Sequence, residues 1–262
     1  MSTYILWDID GTLIYNTPTA GVLYLDAIEH VTGVRPTIRV TDPHGMTEGQ
    51  LLTAILETNG LDTTRLSEVL YDLDVLSREQ HERGLVRDAC AGVRGAMEAI
   101  TENGWINALL TGNGPNRARY KLLAAGIDPE SFDWDHSYFG HESPTRHHLT
   151  AGARSALAGQ NAVIIGDTPN DGLAATSASI PFVAVATGFY ARDQLMNSNA
   201  IAVLEDLEVG LEALLSAISA SLPEPVPLAI TAGTEHPISS RADEDFGEDP
   251  DIEMPTGSDA NP

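Results

Sequence analysis

The chain has 262 residues, a formal charge of −24 from 14 Lys and Arg against 38 Asp and Glu, and an ordinary hydrophobic share of 42%. That length can bury a sizeable core, while the negative field argues against nucleic acid or an anionic membrane surface as a partner. One cysteine, Cys90, excludes an internal disulfide and any multi-cysteine metal site.

The first element is a short apolar run, Tyr4 to Trp7, which delivers Asp8-Ile9-Asp10-Gly11-Thr12-Leu13. Alternate side chains of a strand point the same way, so Asp8 and Asp10 can face one site, and Gly11 lets the backbone turn. Taken alone, Asp10-Gly11 is equally well read as a plain turn. Two adjacent carboxylates repel, and either a divalent cation or a retained proton relieves them.

Residues 16–87 lack a convincing strand. Helical periodicity covers Thr19 to Thr32, Thr47 to Asn59 and Thr63 to Arg83, around a loop from Val34 to Met46. An all-helical insertion explains this stretch, placed over the carboxyl ends of the strands where ligands bind in open α/β folds. Beyond it, buried strands are expected at Ile106 to Leu110, Ala162 to Ile165, Pro181 to Ala186 and Ala200 to Leu204, with a shorter one at Trp134 to Phe139. Helices are expected between them, over Ala91 to Asn103, Asn116 to Ala125, Arg146 to Ala158, Asp171 to Ser179 and Ala191 to Met196. Apolar strands alternating with helices imply a parallel sheet covered on both faces.

From Pro223 onward there are ten acidic residues and one basic one, Arg241. Few large apolar side chains accompany them, so 223–262 is expected to be an acidic disordered tail. Met1-Ser2-Thr3-Tyr4 lacks a charged segment ahead of an apolar one, and no apolar run is long enough to span a bilayer. A cytoplasmic location is expected.

Three further strand ends carry polar residues. Leu109-Leu110 runs into Thr111-Gly112-Asn113, the short strand leads toward Arg146, and Ile164-Ile165 ends in Gly166-Asp167-Thr168-Pro169-Asn170-Asp171. A carboxylate nucleophile, a second carboxyl, a hydroxyl, a cation and two more carboxylates suit phosphoryl transfer, which needs positioning and charge neutralisation.

With these motifs the chain resembles the haloacid dehalogenase superfamily, in its capped, phosphoglycolate phosphatase-like branch, from about Tyr4 to Leu215. Asp8 and Asp10 match the first motif, Thr111 the second, Arg146 the third, and Asp167 with Asp171 the fourth. The resemblance implies a Rossmann-like parallel α/β core over 1–15 and 88–222, with a helical cap over 16–87. It also implies a magnesium-dependent phosphatase acting on a small phosphorylated metabolite. Asp8 would form an aspartyl phosphate and Asp10 would serve as general acid and base. Thr111 would donate to a phosphoryl oxygen, and Arg146 would neutralise charge. Magnesium would lie on Asp8, Asp167, the backbone carbonyl of Asp10, and Asp171 directly or through water.

The family more often has lysine at the third motif. Lys121, the only lysine in the chain, follows Thr111 too closely for that place and is expected to be a solvated helix residue, so Arg146 is preferred. Asp10 argues against a dehalogenase, and an insertion without lysine argues against phosphonate cleavage through a Schiff base. A phosphomutase resembling beta-phosphoglucomutase is the alternative enzyme, and a non-catalytic phosphate-binding protein the alternative from another class. His136, His141, His147 and His148 crowd one region with Asp135 and Glu142, and are expected at the surface or site rim rather than on zinc. Gly45-Met46-Thr47-Glu48 reads either as a segment reaching toward substrate or as a helix cap at Thr47.

Overall fold

In the computed structural model, which describes residues 1–17 and 21–223, the opening apolar run becomes strand β1 (Thr3–Trp7), every residue of which is buried. Three helices follow: α1 (Val22–Thr32), α2 (Glu48–Thr58) and α3 (Leu66–Glu82). The chain then alternates through α4 (Val93–Glu102), β2 (Ile106–Thr111), α5 (Pro115–Ala124), β3 (Tyr138–Phe139), α6 (Arg146–Ala156) and β4 (Asn161–Gly166). It finishes with α7 (Pro169–Ser177), β5 (Phe182–Val185), α8 (Arg192–Leu195), β6 (Ala202–Leu204) and α9 (Leu211–Ser221).

The strands form one parallel sheet in the order β3-β2-β1-β4-β5-β6. This is the expected α/β core. β1 lies between β2 and β4, with Trp7 level with Leu109 on one side and Ile165 on the other. The residues that follow these three strands therefore emerge side by side. Alternation sends Ile5, Trp7, Val163 and Ile165 into the apolar layer on one face, and Tyr4, Leu6, Ala162 and Ile164 into the layer on the other. With both faces covered, a continuous apolar run is the only pattern that avoids burying unpaired polar side chains.

Helices α1 to α3 have an apolar cluster of their own, built from Leu23, Ala27, Ile28, Leu52, Ile55, Leu56, Val69 and Leu73. Met1–Pro223 nevertheless forms one compact unit. Thr47 caps α2 by accepting the backbone N–H of Gln50 at 3.1 Å, and Pro115 and Pro169 open α5 and α7, where the missing N–H has no helical partner to lose.

Several elements differ from expectation. The short strand shrinks to Tyr138–Phe139, because the Asp133 carboxylate accepts the backbone N–H groups of Asp135 and His136 at 3.0 and 3.2 Å and bends the chain into a turn. A 3-10 turn, Thr63–Arg65, precedes α3. Helix α9 has no counterpart among the expected elements; it forms where Leu214 and Ile218, one helical turn apart, pack into the core. Lys121 is not a solvated helix residue but 7% exposed. The expectation for the acidic tail lies, beyond Pro223, outside the described residues.

Leu52 is fully buried at the centre of the helical cluster. Leu52→Ala is expected to lower unfolding free energy by about 2–5 kcal/mol, measured by urea denaturation at constant m-value.

Candidate active site

Asp8 follows β1 directly, and its N–H donates to Ile165 O at 2.9 Å, so the sheet itself fixes its position. Its Oδ1 accepts from Arg146 Nη2 at 3.0 Å, and its Oδ2 has no hydrogen-bond partner among the described residues. Gly11, at φ +85°, turns the chain so that the N–H groups of Leu13 and Ile14 both reach Ile9 O. The Asp167 carboxylate fills the crevice between Gly11 and Gly188, and a Cβ at either glycine would strike it. Its one side-chain partner is the Thr12 hydroxyl, which donates across 3.5 Å.

Asp10 is held differently. Its Oδ2 accepts from Lys121 Nζ at 2.5 Å and from Asn113 Nδ2 at 2.9 Å. Lys121 also donates to Asn113 Oδ1 at 2.5 Å, and Asn113 Nδ2 donates to Thr111 Oγ1 at 2.7 Å. Thr111 is fully buried and does not itself line the cavity; Asn113 ties it to Asp10. Asp171 stands behind the site, with Oδ2 accepting from the Thr168 N–H and hydroxyl at 3.1 and 2.7 Å in a capping box for α7. Its Oδ1 is 2.7 Å from Arg146 Nη2, an ion pair whose N–H is not aligned on the oxygen.

Both cations thus enter the site with separate tasks: Arg146 binds Asp8 and Asp171, and Lys121 binds Asp10. Lys121 lies one helical turn past Arg117 on α5, and both line the same cavity. Asp8, Asp10, Asp167, Asn113, Lys121 and Arg146 line a cavity of about 620 Å³, closed over by α1, α2 and the loop between them. A larger open groove of about 1000 Å³ runs along Ala186 to Asn197 and includes none of these groups.

The electrostatics follow from burial. Desolvation pushes the Asp8 carboxyl up to about 7; Arg146 opposes this, while Asp171 and Asp10 add to it. Desolvation likewise drives Asp167 well above the ordinary carboxylate range, reinforced by Asp8, Asp171 and Asp10. Burial would also raise Asp10, but the Lys121 ammonium and the hydrogen bonds from Lys121 and Asn113 outweigh it and hold Asp10 at about 2. Lys121 itself is lowered, by desolvation against the pull of Asp10.

A divalent cation fits this donor set. Asp8 Oδ2 and the weakly held Asp167 carboxylate are hard oxygens with capacity to spare, and both proton affinities are raised by burial first and by neighbouring carboxylates second. Asp10 and Asp171 have side chains already engaged, and no group of three or more His, Cys, Asp or Glu forms a metal cluster among the described residues. Two carboxylates with room for retained waters suit a hard cation such as magnesium better than zinc, which prefers nitrogen and sulfur ligands. Among the histidines, His136 pairs with Asp133 at 2.8 Å and His148 lies 3.0 Å from the Thr145 hydroxyl.

Sequence reasoning did not nominate Arg117, and singled out Glu48 only as part of the segment from Gly45; both are buried. Of the two readings of Gly45-Met46-Thr47-Glu48, the cap is present, with Thr47 capping α2, and the Glu48 N–H donates to Gly112 O beside Asn113. No helix among the described residues is long and apolar enough to cross a membrane.

A family model described as haloacid dehalogenase-like hydrolase matches residues 3–179. The chain belongs to that family of hydrolases. Similar solved structures include a hydrolase from Pseudomonas syringae, at 19% identity and TM-score 0.63, covering 82% of this chain and 99% of that one. A predicted phosphoglycolate phosphatase from Haemophilus somnus 129pt aligns at 20% identity and TM-score 0.59, over 81% of this chain and 98% of that one. A candidate beta-phosphoglucomutase from Thermotoga maritima aligns at 21% identity and TM-score 0.52, over 82% and 99%. At these identities the likeness is one of fold. No curated protein sequence matches the chain.

Two outcomes follow from the charges. Asp167, with its proton affinity raised on folding, contributes stability below the ordinary aspartate range that is lost as pH rises. Asp167→Asn, which need not ionise, is therefore expected to gain Tm relative to wild type as pH rises above the ordinary aspartate range in EDTA, by thermal denaturation. The depression of Asp10 acts between about pH 2 and pH 4, below that range, and Asp8, pushed up to about 7, titrates within it in both proteins, so the readout is the difference between the two. Lys121→Met removes the cation from Asp10, and NMR titration of the Asp10 carboxyl is expected to show its pKa rising above 2.

Proposed function

We propose that the chain is a magnesium-dependent phosphatase that hydrolyses a small phosphorylated metabolite in the cytoplasm through an aspartyl phosphate at Asp8. The support lies chiefly in one observation: a buried carboxylate with one oxygen on Arg146 and the other unpartnered stands two residues from a second carboxylate on the same cavity. A site of about 620 Å³ suits a metabolite.

The Asp8 oxygen attacks phosphorus, and the phosphorus–oxygen bond to the leaving group breaks. Asp10, protonated at this stage, gives its proton to the departing alkoxide. Its resting state is the carboxylate, and an ester arriving beside it brings negative charge that raises its proton affinity and competes for Lys121. Water then attacks the aspartyl phosphate while Asp10 takes its proton, releasing inorganic phosphate and restoring Asp8. Arg146 holds Asp8 in line and offsets charge on the phosphoryl group, and Thr111, buried behind the cavity, fixes the Asn113 side chain that lines it. Magnesium on Asp8, Asp167 and the Asp10 carbonyl, with Asp171 bracing Arg146 behind, would supply further neutralisation of the phosphoryl oxygens.

Phosphate release from an aryl phosphate tests this reading. Wild type with magnesium is expected to turn over, EDTA to abolish it, and Asp8→Asn to lower kcat roughly 10³-fold or more. Inertness of the wild type across a broad panel of phosphate esters would leave a phosphate-binding module. An isomerised sugar phosphate in place of free phosphate would make the enzyme a mutase.

A further inference from the structure

Arg117 is a buried cation that the proposed reaction does not use. Rooted in α5, its guanidinium touches all three helices of the insertion. Nε lies 2.5 Å from Glu48 Oε1 on α2, close but off the N–H axis. Nη1 donates to the Ser77 hydroxyl on α3 at 3.3 Å, and Nη2 donates to the Tyr24 hydroxyl on α1 at 3.2 Å. The same guanidinium lies 4.9 Å from the centre of the Tyr24 ring.

Glu48 is the other half of this joint. Its Oε2 accepts the Gly114 N–H at 2.7 Å, and its own N–H donates to Gly112 O at 2.9 Å. One residue of the insertion thereby grips both sides of Asn113, the side chain that connects Asp10, Lys121 and Thr111. Desolvating an ion pair contributes little net stability and is often matched by an apolar pair of similar volume. A pair that also holds a loop against the site has a geometric use that an apolar pair lacks.

We propose that Glu48, anchored by Arg117, is a positioning residue: the seating of α2 on the Gly112–Gly114 turn aligns Asn113, and through it Asp10 and Thr111. A displacement of the insertion then disturbs the Asp10 carboxylate and the buried Thr111 hydroxyl together. The kinetic consequence rests on the phosphatase reading; the structural coupling does not.

Amide hydrogen exchange and turnover of an aryl phosphate by the full chain test the two parts separately. Glu48→Ala is expected to speed exchange at residues 112–116 while the central strands stay protected, and Arg65→Gln, which breaks an exposed pair with Glu68, is expected to leave residues 112–116 unchanged. Glu48→Ala should lower kcat roughly 10- to 100-fold with KM within about threefold, and Glu48→Gln, which keeps an acceptor for Gly114, should recover part of the loss. The double variant Glu48→Gln, Arg117→Met removes both charges; its Tm is expected to return toward wild type while kcat stays low. Unchanged exchange at 112–116 in Glu48→Ala, or full recovery of kcat in the double variant, overturns the proposal. If Glu48→Ala does not fold, Glu48→Gln and the double variant carry the same comparison. A wild type that releases no phosphate sinks the phosphatase reading, and exchange alone then decides the joint.

Discussion

Four aspartates, Asp8, Asp10, Asp167 and Asp171, crowd one buried crevice, and everything about the site depends on how their repulsion is shared out. The protein settles it unevenly. Asp10 and Asp171 are matched by Lys121 and Arg146, whereas Asp8 shares Arg146 and Asp167 has only a distant hydroxyl. The remaining deficit of positive charge is concentrated on the two carboxylates best able to receive a hard cation. Two aspartates two residues apart also rest in opposite conditions, with Asp8 pushed up to about 7 by burial and Asp10 held at about 2 by its ammonium partner.

The parallel sheet makes this crowding affordable. With β1 between β2 and β4, the segments carrying Asp8, Thr111 and Asp167 leave the sheet side by side at its carboxyl edge. Continuous apolar strands behind them supply the low dielectric that shifts their proton affinities, so one sequence pattern underlies both the fold and the electrostatics. The helical insertion adds closure. Glu48 and Arg117 join it to the same turn that carries Asn113, so the cover and the chemistry meet through buried charge rather than through apolar contact alone.

The legible parts of the molecule were those encoded locally. Unbroken apolar runs announced β1, β2, β4 and β5, and polar residues at their ends announced Asp8, Thr111 and Asp167. Helix α9 was missed although Leu211, Leu214, Leu215 and Ile218 carry helical spacing within the segment itself. Lys121 was misread for a different reason. A lysine on an exposed-looking amphipathic helix is ordinarily solvated, and nothing near it in sequence reveals a carboxylate 111 positions away.

By itself, then, the amino-acid order determined the strands, the turn at Gly11, the run of helices between β1 and β2 and the polar residues at the strand ends, since each depends on steric preference or apolar periodicity within a few residues. Tertiary structure alone decided which cation meets which carboxylate, which oxygens stay unpartnered, and that Glu48 and Arg117 belong to the site. Pairing across a hundred residues is set by packing of separate elements, and charge in a dry crevice is governed by distance in space rather than along the chain.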